Sequence, residues 1–185
     1  PAVALGSTCT VTVDVVTILD TRGVISNLEL DNISGELLAD FVSAGKASAT
    51  LGVDIYAPHI TKEFIDDPAP PGGVAGLQFT IYNFNRFDEA LNIAFDDDLD
   101  ATLTGLAPTG MLPTDPCGVG SSLSFMGGVL SMTGGTLPAE GQCTFTVNLL
   151  VPAGATPGAY TNTTDAITAD IGGVMENGNM ASDTL

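Results

Sequence analysis

Tryptophan is absent from this chain, and basic side chains nearly so: four Lys and Arg stand against 22 Asp and Glu, a formal charge of −18 over 185 residues. That imbalance argues against nucleic acid as a partner, because phosphate binding needs clustered Lys and Arg. An anionic membrane surface is disfavoured for the same reason. No apolar run approaches the ~18 residues of a spanning helix and no leader segment is present, so no membrane insertion is expected and the fragment reads as soluble and mature. The one histidine, His59 beside Pro58, leaves Ser/His/Asp and Cys/His nucleophile sites without a partner set, so no enzyme is expected. The chain is not a disordered acidic tail, since 44% of its residues are hydrophobic. Its length fits one domain, or one and a part.

What is abundant points to β structure. Thr, Val, Gly, Asn and Asp recur in alternating stretches punctuated by Gly and Pro. Gln142–Leu150 (QCTFTVNLL) places Cys143, Phe145, Val147 and Leu149 on one face. Val74–Phe84 does the same with Leu77, Phe79 and Ile81, and Leu91–Asp97 with Leu91, Ile93 and Phe95. Only Gly35–Ala49 hints at helical periodicity. Gly72-Gly73, Gly127-Gly128 and Gly134-Gly135 read as turns, since no strand–glycine–helix order surrounds them.

The chain repeats itself. Leu5–Val16 (LGSTCTVTVDVV) aligns with Ala139–Leu150 (AEGQCTFTVNLL), and Lys46–Leu51 (KASATL) with Met180–Leu185 (MASDTL), both at an offset of 134 residues. Ser26-Asn27 lies near Thr161-Asn162 at an offset of 135. Two matches at one offset and in one order imply a window cut from a tandem array. Residues 1–55 are then the C-terminal part of a preceding unit, and residues 56–185 a complete one. The repeat also resolves three cysteines. Cys117 and Cys143 can pair within the complete unit, while Cys9 stands where Cys143 does and has its partner outside the fragment or on a neighbour. A Cys117–Cys143 bridge would contribute about 3 kcal/mol by loop entropy. The alternative is three reduced thiols in a cytosolic protein.

The order Ile60-Thr61-Lys62-Glu63-Phe64, Pro70-Pro71-Gly72-Gly73 and Leu77–Asn83 resembles the opening of a tandem repeat of bacterial surface proteins. Ala90–Leu99 (ALNIAFDDDL), Pro116-Cys117-Gly118, Gly134-Gly135, Cys143–Val151, Pro152–Thr164 and Ala181–Leu185 continue that resemblance in register. It implies an all-β fold of Ig-like antiparallel β-sandwich repeats in tandem, in large exported adhesin or stalk proteins, and no uniform activity. Phe84–Glu89 (FNRFDE) departs from it by being bulkier than the short Asn/Gly turn expected there.

Two constellations stand out. Asp96, Asp97, Asp98 and Asp100, with Glu63, Asp66 and Asp67 and with Asp54 between the units, offer oxygen ligands to Ca²⁺, the one cofactor considered. None matches the EF-hand loop spacing or the glycine-rich calcium repeat, and the competing reading is a solubilising acidic surface. The second rests on Lys62, which with Arg86 makes the only two basic residues of the complete unit, against 15 acids. Alternation places Lys62 with Ile60 and Phe64, Asp97 with Ile93 and Phe95, and Asn162 with Tyr160, all on core faces. That set resembles self-crosslinking Ig-like domains of surface proteins, in which a buried neutral Lys attacks an Asn amide polarised by a carboxyl group. The competing readings are a Lys62–Asp97 ion pair or a Lys62 reaching the surface. Asn162-Thr163-Thr164 and Asn32-Ile33-Ser34 are also glycosylation sequons by pattern.

The expectation is a structural module of an extracellular stalk, adhesin or fibre, with neighbouring repeats or subunits as partners. One alternative is an adhesive module binding a glycan or protein through Asn85–Glu89 or Ala107–Pro116, with Tyr82, Phe84 and Phe87 as its aromatics unless Phe84 or Phe87 is core. Another is a filament subunit assembling by strand complementation.

Overall fold

Strands form here because β-branched and aromatic residues alternate with polar ones between Gly- and Pro-rich breaks. The computed structural model describes residues 56–185, together with 23–27, 34–37, 40–43, 49–53, Thr8, Thr10 and Thr12. The chain divides into two compact units, Pro1–Asp54 and Ile55–Leu185. Cys9, Asn32 and Asp54 lie outside the described residues.

In the first unit β1 (Gly23–Asn27) pairs antiparallel with β4 (Ala49–Val53), and β2 (Ser34–Leu37) with β3 (Asp40–Ser43). The helical hint in Gly35–Ala49 is therefore corrected: its described residues are strand.

The second unit runs β5 (His59–Phe64), β6 (Val74–Tyr82), β7 (Ala90–Asp98), α1 (Leu99–Thr102), β8 (Ala107–Pro108), β9 (Ser122–Met126) and β10 (Val129–Leu137). It continues with β11 (Gln142–Leu150), β12 (Thr161–Thr163), β13 (Thr168–Ile171), β14 (Val174–Asn177) and β15 (Ser182–Thr184). One sheet has the order β5-β6-β11-β8 and the other β14-β13-β7-β10-β9, with neighbours antiparallel in both. Leu77, Phe79, Ile81, Phe145, Val147 and Leu149 from the first sheet and Ile93, Phe95, Leu130, Met132, Ala169 and Ile171 from the second are buried. Phe79 anchors the interior, its ring 5.1 Å from that of Phe95 and 5.3 Å from that of Phe145. The result is an Ig-like β-sandwich.

The last strands form one long antiparallel ribbon. Its β13–β14 part joins the second sheet, and its β12–β15 part turns toward β5. The pairings of β2 with β3 and of β13 with β14 superimpose at the sequence offset: Ser34 faces Ser43 as Thr168 faces Asn177. Likewise Asn27 faces Ala49 as Asn162 faces Asp183.

Two details depart from strict alternation. Ala90 rather than Leu91 points into the core, because Asn92 adopts a left-handed φ of 52° and shifts the pleat by one residue before Ile93. Gly134-Gly135 is not a turn but a bulge inside β10, where the register to β7 slips between Met132 and Gly135. Gly127-Gly128 does turn the chain between β9 and β10.

A disulfide joins Cys117, on the loop before β9, to Cys143 in β11, with Cα atoms 5.5 Å apart. The Cys117 carbonyl accepts from Thr136 N of β10, so the bridge ties one sheet to the other.

Candidate crosslinking site

Lys62, Asp97 and Asn162 come from three different strands, β5, β7 and β12, and meet at the side of the sandwich where the ribbon crosses from one sheet to the other. The β5 pattern buries Ile60, Lys62 and Phe64 together; Asp97 and Asn162 are 0% exposed, and the Lys62 side chain is fully enclosed. Lys62 Nζ donates to Asp97 Oδ2 at 2.7 Å and also to Asn162 Oδ1. The Asn162 amide closes the circuit, its Nδ2 donating to Asp97 Oδ1 at 2.6 Å. The Asp97 carboxylate thus touches the Lys62 nitrogen with one oxygen and the Asn162 amide nitrogen with the other.

The surroundings pull Lys62 both ways, burial toward the neutral amine and Asp97 toward the ammonium. Desolvation pushes the Lys62 pKa below its ordinary value, and the charge and hydrogen bond of Asp97, then the charge of Asp183, oppose the shift. Phe79 lies beneath the ammonium, 5.5 Å from Nζ to ring centroid. Of the competing readings, a Lys62 reaching the surface is excluded by its enclosure, while the Lys62–Asp97 ion pair is present at 2.7 Å.

Several groups escaped the sequence reading. Thr102, the last residue of α1, accepts from Asn162 Nδ2 through Oγ1 at 2.9 Å. Asn179 caps both backbone groups of Ile60, accepting from its N–H at 2.9 Å and donating to its carbonyl at 2.7 Å. Asp183 Oδ2 accepts from Phe64 N at 2.6 Å. Ile60 meets Asn179 and, four residues on, Phe64 meets Asp183, so β5 and this segment run in the same direction. Among the described residues no backbone-to-backbone hydrogen bond crosses this seam; side chains fill the place of a ladder. Gly178 permits the close approach, since a Cβ there would sit 1.8 Å from the Pro58 carbonyl oxygen. No local motif announces Asn179 or Asp183, because their partners lie 119 residues away.

The acidic candidates for calcium are spent differently. Asp98 caps α1 by accepting from Ala101 N, Asp100 accepts from Gly105 N, Asp66 accepts from Gly76 N, and Asp97 belongs to Lys62. Asp96, Glu63 and Asp67 are exposed. Among the described residues no group of three or more His, Cys, Asp or Glu is placed to hold a metal ion, so proximity in sequence does not become a ligand cage. The Asn162 sequon is also closed, because that amide is buried and hydrogen-bonded inside the protein.

His59 belongs to β5, and its ring lies 6.0 Å from Tyr82 and 5.8 Å from Phe84. Tyr82 and Phe84 stack at 5.5 Å with an interplanar angle of 8°. Phe84 is half exposed and Phe87 is 87% exposed, so neither is core. The cause is local. Asn83 and Asn85 turn inward, the first donating to the carbonyls of Asp88 and Pro138 and the second gripping both backbone groups of Tyr56, which leaves Phe84 outside.

Two antiparallel sheets, an inter-sheet disulfide and a buried Lys–Asp–Asn set define an Ig-like β-sandwich module. The chain belongs to the family described as domain of unknown function DUF7933, whose model matches residues 58–185. Among solved structures it is similar to the "Cohesin module from Clostridium perfringens ATCC13124 family 33 glycoside hydrolase", at 14% identity and a TM-score of 0.52, covering 70% of this chain and 95% of that one. That likeness concerns the fold. No curated protein matches the chain. No helix among the described residues is long and apolar enough to cross a membrane.

Proposed function

We propose that the Ile55–Leu185 unit is a self-stapling structural module of an exported bacterial surface protein, in which Lys62 and Asn162 become joined by an isopeptide bond. The observation that carries this reading is the closed Lys62–Asp97–Asn162 circuit, buried across a seam that has no backbone ladder among the described residues. In the reaction Lys62 Nζ forms a bond to Asn162 Cγ, and the bond from Cγ to Nδ2 breaks. Starting from the Lys62 ammonium and the Asp97 carboxylate, Nζ first gives one proton to Asp97, which frees the amine to attack, and loses a second as the new bond forms; one of the two passes through Asp97 to Nδ2, which departs as ammonia, and the other remains on the Asp97 carboxyl. Atoms and charge balance without any co-reactant.

The value of such a bond is mechanical. Tension entering ahead of Lys62 and leaving beyond Asn162 would cross one covalent link, and residues 63–161 would carry no load. The stapled unit suits a stalk, adhesin or fibre built from neighbouring repeats. Support for that setting comes from the resemblance to surface-protein repeats, the internal repeat at an offset of 134 to 135 residues and the matching strand pairings of the two units. The disulfide agrees with an oxidising compartment outside the cell.

Intact mass of the purified chain tests the reading. The expected mass is about 17 Da below the sequence value. The deficit should survive reduction and disappear in Lys62→Ala and Asp97→Ala. A full-length mass in the unaltered, folded protein would sink the crosslink.

A second reading has its own observation. The His59, Tyr82 and Phe84 rings form an aromatic cluster, half-buried at His59 and Tyr82 and exposed at Phe84, of the kind on which a sugar ring or partner side chain stacks. Glycan-array binding lost in Phe84→Ala would favour an adhesive module, and absence of any binding would remove it. Assembly by strand complementation instead requires mass that rises with concentration in analytical ultracentrifugation.

A further inference from the structure

We infer that Thr102 is a positioning residue for amide exchange at Asn162, holding the side-chain amide in the one orientation that can react; this rests on the proposed crosslink. An Asn amide can sit either way round. With Oδ1 toward Lys62, as here, the carbonyl is polarised by the attacking group's own N–H and the departing Nδ2 faces Asp97. Rotated by half a turn, Nδ2 would face the Lys62 nitrogen and Oδ1 the Asp97 carboxylate. Donor would then meet donor and acceptor meet acceptor, and no proton could pass from Asp97 to the leaving group.

Asp97 is a weak arbiter of that choice, because its carboxyl can also carry a proton and then donate to Oδ1. Thr102 decides it. Its hydroxyl hydrogen is directed to the Asp98 carbonyl at 3.3 Å, which leaves a lone pair of Oγ1 for Asn162 Nδ2 at 2.9 Å. The hydroxyl is therefore set as an acceptor, and an acceptor at this point selects the amide nitrogen. The setting comes from α1: Asp98 caps it through Ala101 N, and Leu99 anchors it in the core, so Thr102 is delivered to the triad from a rigid turn. Thr102 is half-buried, whereas Asn162 is enclosed.

The test follows the fraction of the full chain that lacks the 17 Da loss, read by intact mass at successive times after a short expression pulse. Thr102→Val, which keeps the shape and removes the acceptor, is expected to slow the loss about tenfold, the weight of one such hydrogen bond in the transition state. Thr102→Ser, which restores the acceptor, should stay within about twofold of the parent. Both variants are also made in the Lys62→Ala background, where no bond can form and only structure is measured. There Thr102→Val should still fold, with a midpoint lowered by no more than about 6 °C for the loss of one partly buried hydrogen bond. Crosslinking by Thr102→Val at the parental rate overturns the inference while leaving the crosslink standing. Failure of Thr102→Val to fold in the Lys62→Ala background overturns it as well, since Thr102 would then be a structural requirement. Absence of the mass loss in the unaltered chain refutes the crosslink itself, and the inference with it.

Discussion

The two edges of β5 are held by different physics. On one side six residues, His59 to Phe64, pair in unbroken register with Tyr82 to Leu77 of β6. On the other side the neighbouring segment supplies Asn179, Asp183 and the reach from Lys62 to Asn162, with no backbone ladder among the described residues. A ladder depends on backbone groups that every residue owns, so it tolerates substitution. A seam of side chains depends on particular atoms, and it places a reactive set where a sheet would have placed anonymous amides.

The sharpest way to break this comparison is to pull on it. In single-molecule extension the unaltered unit should release no length from residues 63–161, whereas Lys62→Ala should release it all except the loop held by the disulfide. Reduction should then free that remainder in Lys62→Ala and change nothing in the parent. Equilibrium unfolding should register the lost bond as about 4–5 kcal/mol, the entropy of closing a loop of this size. Equal extension in both proteins would mean that the seam carries no covalent link.

A smaller effect separates the edges without touching the triad. Asn179→Ala removes both hydrogen bonds to Ile60 and should cost about 1–3 kcal/mol, because buried backbone groups are left without partners. Thr144→Ala, in the sheet beyond the laddered edge, loses only an exposed hydroxyl pair with Thr80 and should cost under about 1 kcal/mol. Comparable losses from chemical denaturation would erase the distinction between the edges.

The smallest effect is a pH dependence in Asn162→Ala, where Lys62 stays buried with nothing to attack. Its pKa in the folded protein lies below the ordinary 10.5 because burial disfavours the charge. Between the lowered value and 10.5 the unfolded chain binds the proton that the folded one has lost, so stability should rise with pH through that window and be flat below it. The double variant Lys62→Met/Asn162→Ala should lack the rise, measured as the difference between the two denaturation midpoints. Parallel curves would show that Lys62 is not desolvated.

Much of this was legible along the chain. Period-two alternation places Ile60, Lys62 and Phe64, and likewise Phe145, Val147 and Leu149, on buried faces, as the structure has them. The same rule fails at Leu91, because it has no means of registering the left-handed Asn92 that resets the pleat. It fails again at Gly134-Gly135, where a glycine pair marks a bulge as readily as a turn. The acidic run Asp96–Asp100 is a composition signal only; whether carboxylates converge depends on which backbone donors they find, and these found Gly105 and Ala101.

The sequence by itself determined the strands, the all-β class, the repeat and the face on which each candidate residue would lie, because these follow from side-chain size and polarity at short range. Only the tertiary structure decided that Lys62, Asp97 and Asn162 share one buried point, that Asn179 and Asp183 take the place of a strand, and that Thr102 faces the Asn162 nitrogen. Those contacts join positions 35 to 119 residues apart. Such meetings depend on how the ribbon crosses between two sheets, which no local pattern of residues encodes.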